Sequence, residues 1–180
     1  YYFGQSLNNA DRLYSLDASG KSKLIWDISA EKLRGVKFTP AKDFVYRTPD
    51  GVDIDGWYYL PPNFDPSKKY PMIVYYYGGT IPLSRELETT YDLAMFAAQG
   101  YVAYSLNPRG TVGYGQSFAA DHLNAWGTKT SDDIIGAVKA FVAAHPFVDA
   151  KKLGCAGASY GGFMTQYLQT RTDLFAAAAS

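Results

Sequence analysis

A serine flanked by glycines near the end of the chain is the residue best suited to chemistry. Ser159 is the centre of the sequence GASYG at 157–161, which follows a short apolar run and precedes a helix-like one. Between a strand and a helix, a G-x-S-x-G sequence forms a sharp turn that raises the serine hydroxyl above a sheet. A glycine-rich turn with an incidental serine is the alternative interpretation. The strand–helix context favours a nucleophile.

A serine that attacks a carbonyl also needs hydrogen-bond donors for the oxygen that becomes negative. The amide of Tyr160 opens the next helix and is aimed at that oxygen. The hydroxyl of Tyr77 is the second candidate, because the apolar run 72–77 ends there and two glycines then let the backbone turn away. A phenol stays protonated near neutral pH and can donate a hydrogen bond. From the pattern alone, Tyr77 is equally well explained as an aromatic core residue.

The elements that must position these residues alternate along the chain. Periodicity predicts strands at 72–77, 101–106 and 152–156, and helices at about 87–99, at 131–144 and from Gly162 onward. Thr130 and Asp133 form a capping-box pattern at the start of the clearest helix. This order predicts an α/β fold, a mostly parallel sheet with helices on both faces, whose ligands bind at the carboxyl ends of the strands. Tyr77, Arg109 and Ser159 then share one rim.

Two further β regions are expected ahead of these segments. Residues 1–42 are predicted to be β, with strands at 12–16 and 23–26 joined by a turn. Strands at 43–47 and 52–60 flank a second turn. The first region has no core of its own, and both chain ends fall within apolar or strand-like segments. We therefore expect 1–42 to end an upstream β domain, and 43–180 to begin a catalytic domain that is incomplete at its carboxyl end.

The composition narrows the classes of partner and cofactor. Lysine and arginine together number 17, as do aspartate and glutamate, so the formal net charge is zero. The charge balance therefore does not favour nucleic acid or an anionic membrane as a partner. The single cysteine excludes an internal disulfide and a cysteine metal cluster. No apolar run is long enough for a membrane span. No phosphate loop or metal-ligand spacing stands out, so neither a cofactor nor a metal is expected.

Arg109 allows two interpretations. On the rim, its guanidinium can hold a carbonyl of a substrate. Alternatively, it pairs with Asp132 or Asp133 and fixes the loop that follows the strand at 101–106. The second interpretation is favoured, because the planar arginine fork pairs readily with carboxylates.

Four stretches occur in the order and spacing of a known family: GWYYLPPNF at 56–64, KYPMIVYYYGG at 69–79, NPRGTVGYG at 107–115 and GASYGG at 157–162. They resemble the catalytic domain of the prolyl oligopeptidase family of serine peptidases, most closely the branch with prolyl-dipeptidyl and acylaminoacyl peptidases. The resemblance implies a truncated α/β-hydrolase fold, with residues 1–42 as the remnant of a β-propeller. A departure is Thr80, where many relatives have proline.

The resemblance also implies roles for single residues. Ser159 becomes the nucleophile of a peptidase that cleaves short peptides through an acyl-enzyme. The Tyr77 hydroxyl and the Tyr160 amide become the oxyanion hole, and the Tyr160 ring lines the pocket for the residue before the scissile bond. A carboxylesterase on the same fold, or a non-catalytic relative that only binds, remains an alternative because a fold does not fix function.

The base and the acid that activate a serine are missing from this pattern. In α/β-hydrolases the chain order is serine, acid, histidine. After Ser159 the chain has one acid, Asp173, which follows too soon, and no histidine. Of the two earlier histidines, we expect His145 to cap a helix end and His122 to be exposed. We therefore expect the acid and the histidine to be encoded beyond Ser180, and this polypeptide alone to be inactive.

Overall fold

The computed structural model describes residues 1–28, 30, 33–37, 39–87 and 89–180, which form a three-stranded and a seven-stranded β-sheet with helices. The small sheet is antiparallel and has the order β1-β2-β3, with β1 at Tyr2–Ser6, β2 at Asn9–Leu16 and β3 at Ser22–Asp27. The predicted strands 12–16 and 23–26 fall within β2 and β3. The small sheet touches the rest of the chain through Leu7 and Ala10, which are buried against Trp57 and Tyr59.

The large sheet is mixed, with parallel strands at its centre. Its strands are β4 Lys42–Asp43, β5 Tyr46–Arg47, β6 Asp53–Tyr59, β7 Tyr70–Tyr75, β8 Val102–Asn107, β9 Val148–Ala156 and β10 Ala177–Ala179. Strands β10, β9, β7 and β8 pair in parallel in that order. Strand β6 runs antiparallel to β8, and β4 and β5 run antiparallel to β6. The central strands are therefore parallel, as expected, and the sheet as a whole is mixed.

Helices cover both faces of the large sheet. They are α1 Leu93–Ala98, α2 Gln116–Ala120, α3 Thr128–Ala144 and α4 Tyr160–Gln169. The apolar sides of α3 and α4 pack with the core on one face, through residues such as Phe141 and Met164. Helix α1 packs on the opposite face through Leu93 and Ala97. Of the helices that the structure describes, none is long and apolar enough to cross a membrane.

Several element boundaries differ from the sequence prediction. The helix predicted at 87–99, which includes residue 88 outside the described residues, starts only at Leu93, because the Asp92 carboxylate caps it at the Ala94 amide. The capping box at Thr130 is wrong, since α3 already begins at Thr128 and the Thr130 hydroxyl donates to the Arg109 carbonyl. The region expected as one strand at 43–47 is split into β4 and β5. Helix α2 and strand β10 were not predicted.

Candidate active site

Ser159 lies in the sharp turn between β9 and α4. It is exposed, and its backbone has φ 56° and ψ −117°. A positive φ is rare for a residue with a side chain and costs of order 1–3 kcal/mol, so it persists only where the surroundings enforce it. The turn that the GASYG sequence predicts is therefore present, and it lifts the serine hydroxyl at the carboxyl end of the sheet.

Glycine lets the backbone of this turn approach neighbouring backbone closely at two points. A Cβ atom on Gly157 would lie 2.6 Å from the carbonyl oxygen of Gly161, and a Cβ atom on Gly161 would lie 2.7 Å from the carbonyl oxygen of Tyr76. Both distances are shorter than any real contact of a Cβ atom, so only glycine fits. The second contact draws the start of α4 against the end of β7, and this brings Ser159 to the strand end that carries Tyr77.

Tyr77 lies two residues beyond β7 and is half-buried. The centroid of its ring is 6.2 Å from that of Tyr160. A Cβ atom on Gly79 would lie 2.9 Å from Tyr77 Cε1 and 3.1 Å from the Tyr160 ring, so the two rings converge on this glycine. The two residues predicted to stabilise an oxyanion are thus neighbours, on the rim that also carries Ser159.

The Tyr160 amide is the first of α4. The next three amides are bonded, Gly161 to the Ala158 carbonyl and both Gly162 and Phe163 to the Ser159 carbonyl, at 2.8–3.2 Å. The first amides of a helix have no acceptor within the helix and carry partial positive charge. The Tyr160 amide is therefore suited to bind an anionic oxygen beside Ser159.

The ring of Tyr160 is the centre of an aromatic cluster. Ring centroids of Phe163, His122 and Trp126 lie 5.1, 5.3 and 6.4 Å from it. Burial raises the pKa of Tyr160, so its hydroxyl stays protonated. That hydroxyl is buried and has no hydrogen-bond partner among the described residues. The cluster makes the surface beside the serine apolar.

His122 is less exposed than expected from the sequence. It is half-buried, and its Nδ1 atom faces Gly110, where a Cβ atom would lie 2.8 Å away. Its ring packs against Tyr160 and Trp126. His122 and Trp126 were both missed as neighbours of the site. No local pattern marks them, because only the fold brings the 121–127 segment to the start of α4.

His145 and Ser159 lie at opposite ends of β9. His145 precedes β9 whereas Ser159 follows β9, and a nine-residue strand separates its ends by about 30 Å. As expected, it caps a helix end, with Nδ1 2.8 Å from the Phe141 carbonyl oxygen. Burial lowers the pKa of His145, which favours the neutral ring. His145 is therefore not the base for Ser159.

Arg109 is held by two carboxylates. Its Nε and Nη2 atoms donate to Asp133 at 2.7–3.1 Å, and Nη1 donates to Asp50 at 2.5 Å. These bonds, above all those to Asp133, raise the pKa of Arg109. Its side chain is only 8% exposed. The geometry favours the role of fixing the loop over contact with a substrate, and the partner is Asp133, since Asp132 pairs with Arg171.

In the part of the chain that the structure describes, no three His, Cys, Asp or Glu side chains are grouped to hold an ion. The single cysteine, Cys155, is buried below the site. Asp173 is exposed beyond the end of α4. The arrangement thus provides a raised serine, a helix amide and a tyrosine hydroxyl, and it places His145 too far from the serine to act as its base.

Comparisons with known proteins identify relatives of this chain. An uncharacterized peptidase of Bacillus subtilis is 33% identical over 183 residues, which cover 99% of this chain and 28% of that protein. Dipeptidyl-peptidase 5 of Porphyromonas gingivalis is 35% identical over 128 residues, or 71% of this chain and 19% of that protein. The crystal structure of acylaminoacyl peptidase from Pyrococcus horikoshii superposes with a TM-score of 0.88 at 29% identity, covering 98% of this chain and 28% of that one.

These matches define a family and a fold. The chain spans less than a third of the length of these relatives. Its mixed sheet and flanking helices are those of the α/β-hydrolase peptidases. The sequence profile of the prolyl oligopeptidase family matches residues 87–180, which is more than half of the chain. The chain belongs to the prolyl oligopeptidase family.

Proposed function

We propose that this chain is part of a serine peptidase that hydrolyses short peptides through an acyl-enzyme at Ser159. The observation that carries the proposal is the strained turn, in which Ser159 adopts φ 56° at the start of α4. Strain of this kind clusters at functional sites. The neighbours of Ser159 support the same reaction, because the Tyr77 hydroxyl and the Tyr160 amide are hydrogen-bond donors on the same rim.

The proposed chemistry assigns one role to each group. The Ser159 hydroxyl attacks the peptide carbonyl, and the oxygen that becomes negative is bound by the Tyr160 amide and the Tyr77 hydroxyl. The C–N bond breaks as the amine takes up the proton that the base removed from Ser159, and water then hydrolyses the acyl-enzyme and restores the serine. The Tyr160 ring lines the pocket for the residue before the scissile bond. Its apolar neighbours Phe163 and Trp126 support a pocket for an apolar residue.

A base must take the proton of Ser159. We propose that this base lies outside residues 1–180. His145 is about a strand length away. An aspartate and a histidine encoded after Ser180 complete the site in this proposal. Residues 43–180 are then the first part of the catalytic domain, and the much greater length of the relatives supports this division.

Residues 1–42 are assigned to the end of a β-propeller. Their described part forms a three-stranded antiparallel sheet, which supplies three of the four strands of a propeller blade. Large apolar side chains such as Phe3, Ile25 and Trp26 are exposed on it, although exposed apolar groups are normally covered in a complete domain. A neighbouring blade of the same protein would cover them.

The proposal is tested on the longer gene product that contains this chain. Peptide anilides with a free or acylated amino terminus, with and without proline, are compared with simple p-nitrophenyl esters as substrates. Ser159→Ala is expected to lower peptide hydrolysis by at least about 1,000-fold, whereas Ser117→Ala, at an exposed serine of α2, leaves it unchanged. Hydrolysis of esters alone would indicate the carboxylesterase alternative. Undiminished peptide hydrolysis by Ser159→Ala would refute the assignment of the nucleophile.

A further inference from the structure

The loop after Tyr77, residues 78–85, determines where the Tyr77 hydroxyl lies. The Tyr77 ring packs on Gly79 so closely that a Cβ atom there would lie 2.9 Å from Cε1. The backbone at Gly78 has φ 71°, a conformation that glycine adopts easily and that leaves the chain free to turn. A shift of the 78–85 loop would therefore move the ring, so the loop needs anchors elsewhere.

The first anchor is Asn107, the last residue of β8. Its Oδ1 atom accepts a hydrogen bond from the Leu83 amide at 2.8 Å, and its Nδ2 atom lies 3.4 Å from the Leu83 carbonyl oxygen. One side chain thus contacts both backbone groups of Leu83, much as a neighbouring strand would. Asn107 is only 2% exposed, and a buried amide that loses its partners is costly.

The second anchor is a chain of polar contacts through Tyr114. Asn107 Nδ2 donates to the Tyr114 hydroxyl at 2.9 Å, and that hydroxyl donates to Asp55 Oδ2 at 3.0 Å. Asp55 in turn accepts two hydrogen bonds from Arg85 Nη1, at 3.0 and 3.1 Å. Arg85 belongs to the 78–85 loop, so the contacts close a ring that begins and ends on this loop.

Three further contacts hold the same loop near its ends. The Val112 amide donates to the Thr80 carbonyl at 2.9 Å, which ties the loop directly to the segment that carries Tyr114. The Arg85 guanidinium also pairs with Asp43 and lies 4.9 Å from the centroid of the Trp57 ring. Trp57 is buried in β6, so this end of the loop rests on a rigid element.

We propose that Asn107 and Tyr114 are positioning residues that, together with Asp55 and Arg85, clamp the 78–85 loop and so set the place of the Tyr77 hydroxyl in the oxyanion hole. This inference rests on the proposed function, since a position for Tyr77 matters only if the hydroxyl binds the oxyanion. Burial raises the pKa of Tyr114, which keeps its hydroxyl protonated and able to donate to Asp55.

The test is a double-mutant cycle in the longer gene product. Tyr77→Phe is expected to lower kcat by about 100- to 1,000-fold, the usual effect of removing one oxyanion donor. Tyr114→Phe keeps the ring but breaks the link between Asn107 and Asp55, and it is expected to lower kcat roughly 3- to 10-fold. KM should change less than kcat, because the clamp acts on the transition state. In the Tyr77→Phe background, Tyr114→Phe should have no further effect on kcat.

Tyr91→Phe is the matched control. Tyr91 is 44% exposed, similar to the 37% of Tyr114, and its hydroxyl makes no hydrogen bond among the described residues. Its substitution should leave kcat unchanged. If the enzyme is active and Tyr114→Phe has the kcat of the wild type, the proposed clamp is wrong. The clamp is also wrong if Tyr114→Phe lowers kcat by the same factor in the wild-type and Tyr77→Phe backgrounds. Neither result would affect the proposed function. If wild type and Ser159→Ala were equally inactive on every substrate, the proposed function would fall, and the clamp with it.

Discussion

Substitution of Arg109 by glutamine is expected to destabilise the protein by about 3–5 kcal/mol, since it leaves a buried charge without its partner. That charge is the Asp133 carboxylate, which is 1% exposed and accepts hydrogen bonds from Nε, Nη2 and the backbone amide of Arg109. Glutamine keeps the backbone donor but loses the positive charge and the planar fork.

The loss of stability should depend on pH. Burial already raises the pKa of Asp133, and Arg109 opposes that shift, so the pKa rises further when Arg109 is replaced. A carboxyl whose pKa is higher in the folded state contributes stability below its unfolded pKa of about 3.9 and loses it as the pH rises. The difference between Arg109→Gln and the wild type should therefore be largest at neutral pH and shrink on acidification.

The neighbouring pair provides the control. Arg171 and Asp132 lie 2.8 Å apart, but both are partly exposed, and such pairs contribute at most about 1 kcal/mol. Urea unfolding followed by tryptophan fluorescence at pH 7.5 and pH 5 measures Arg109→Gln and Arg171→Gln side by side. A loss for Arg109→Gln as small as that for Arg171→Gln, or one that grows on acidification, would refute the reasoning.

Three further predictions concern the turn and the core. Ser159→Gly should stabilise the protein by about 1 kcal/mol in the same unfolding assay, because glycine adopts φ 56° without strain; an unchanged stability would mean that the turn is not strained. Gly161→Ala should cost roughly 2 kcal/mol or more, through its clash with Tyr76, whereas Gly154→Ala, whose nearest neighbours are 3.8 Å away, should cost less; equal losses would contradict the steric account. Because burial lowers the pKa of His145, stability should fall as the pH drops below about 6.5. His145→Gln should weaken this pH dependence of the thermal midpoint; an unchanged pH dependence would contradict the role given to His145.

The parts of the site that follow strand ends could be predicted from the sequence. Apolar runs, glycines and prolines mark where β7 and β9 end, and the parallel order brings those ends to one edge. Ser159 and Tyr77 were therefore expected together, and the structure has them on one rim. The helix from Thr128 to Ala144 was also recognisable, because its apolar stripe is long.

The rest depends on contacts between distant segments, which no local pattern encodes. Thr130 and Asp133 look like a helix cap in sequence but bond to Arg109, twenty or more residues away. Strand β10 consists of three alanines, which have no preference for strands, and it forms because β9 offers a free edge. His122 was expected to be exposed, yet the fold packs it against Tyr160.

The most direct test of the account is to find which residue a fluorophosphonate labels. The probe reacts with a serine only when a base activates it. Mass spectrometry of the digested longer gene product should find the label on Ser159, and Ser159→Ala should abolish it. The 180-residue chain by itself should remain unlabelled. Labelling of another residue in the longer protein, or labelling of Ser159 in the isolated chain, would contradict the account of a nucleophile whose base lies outside these residues.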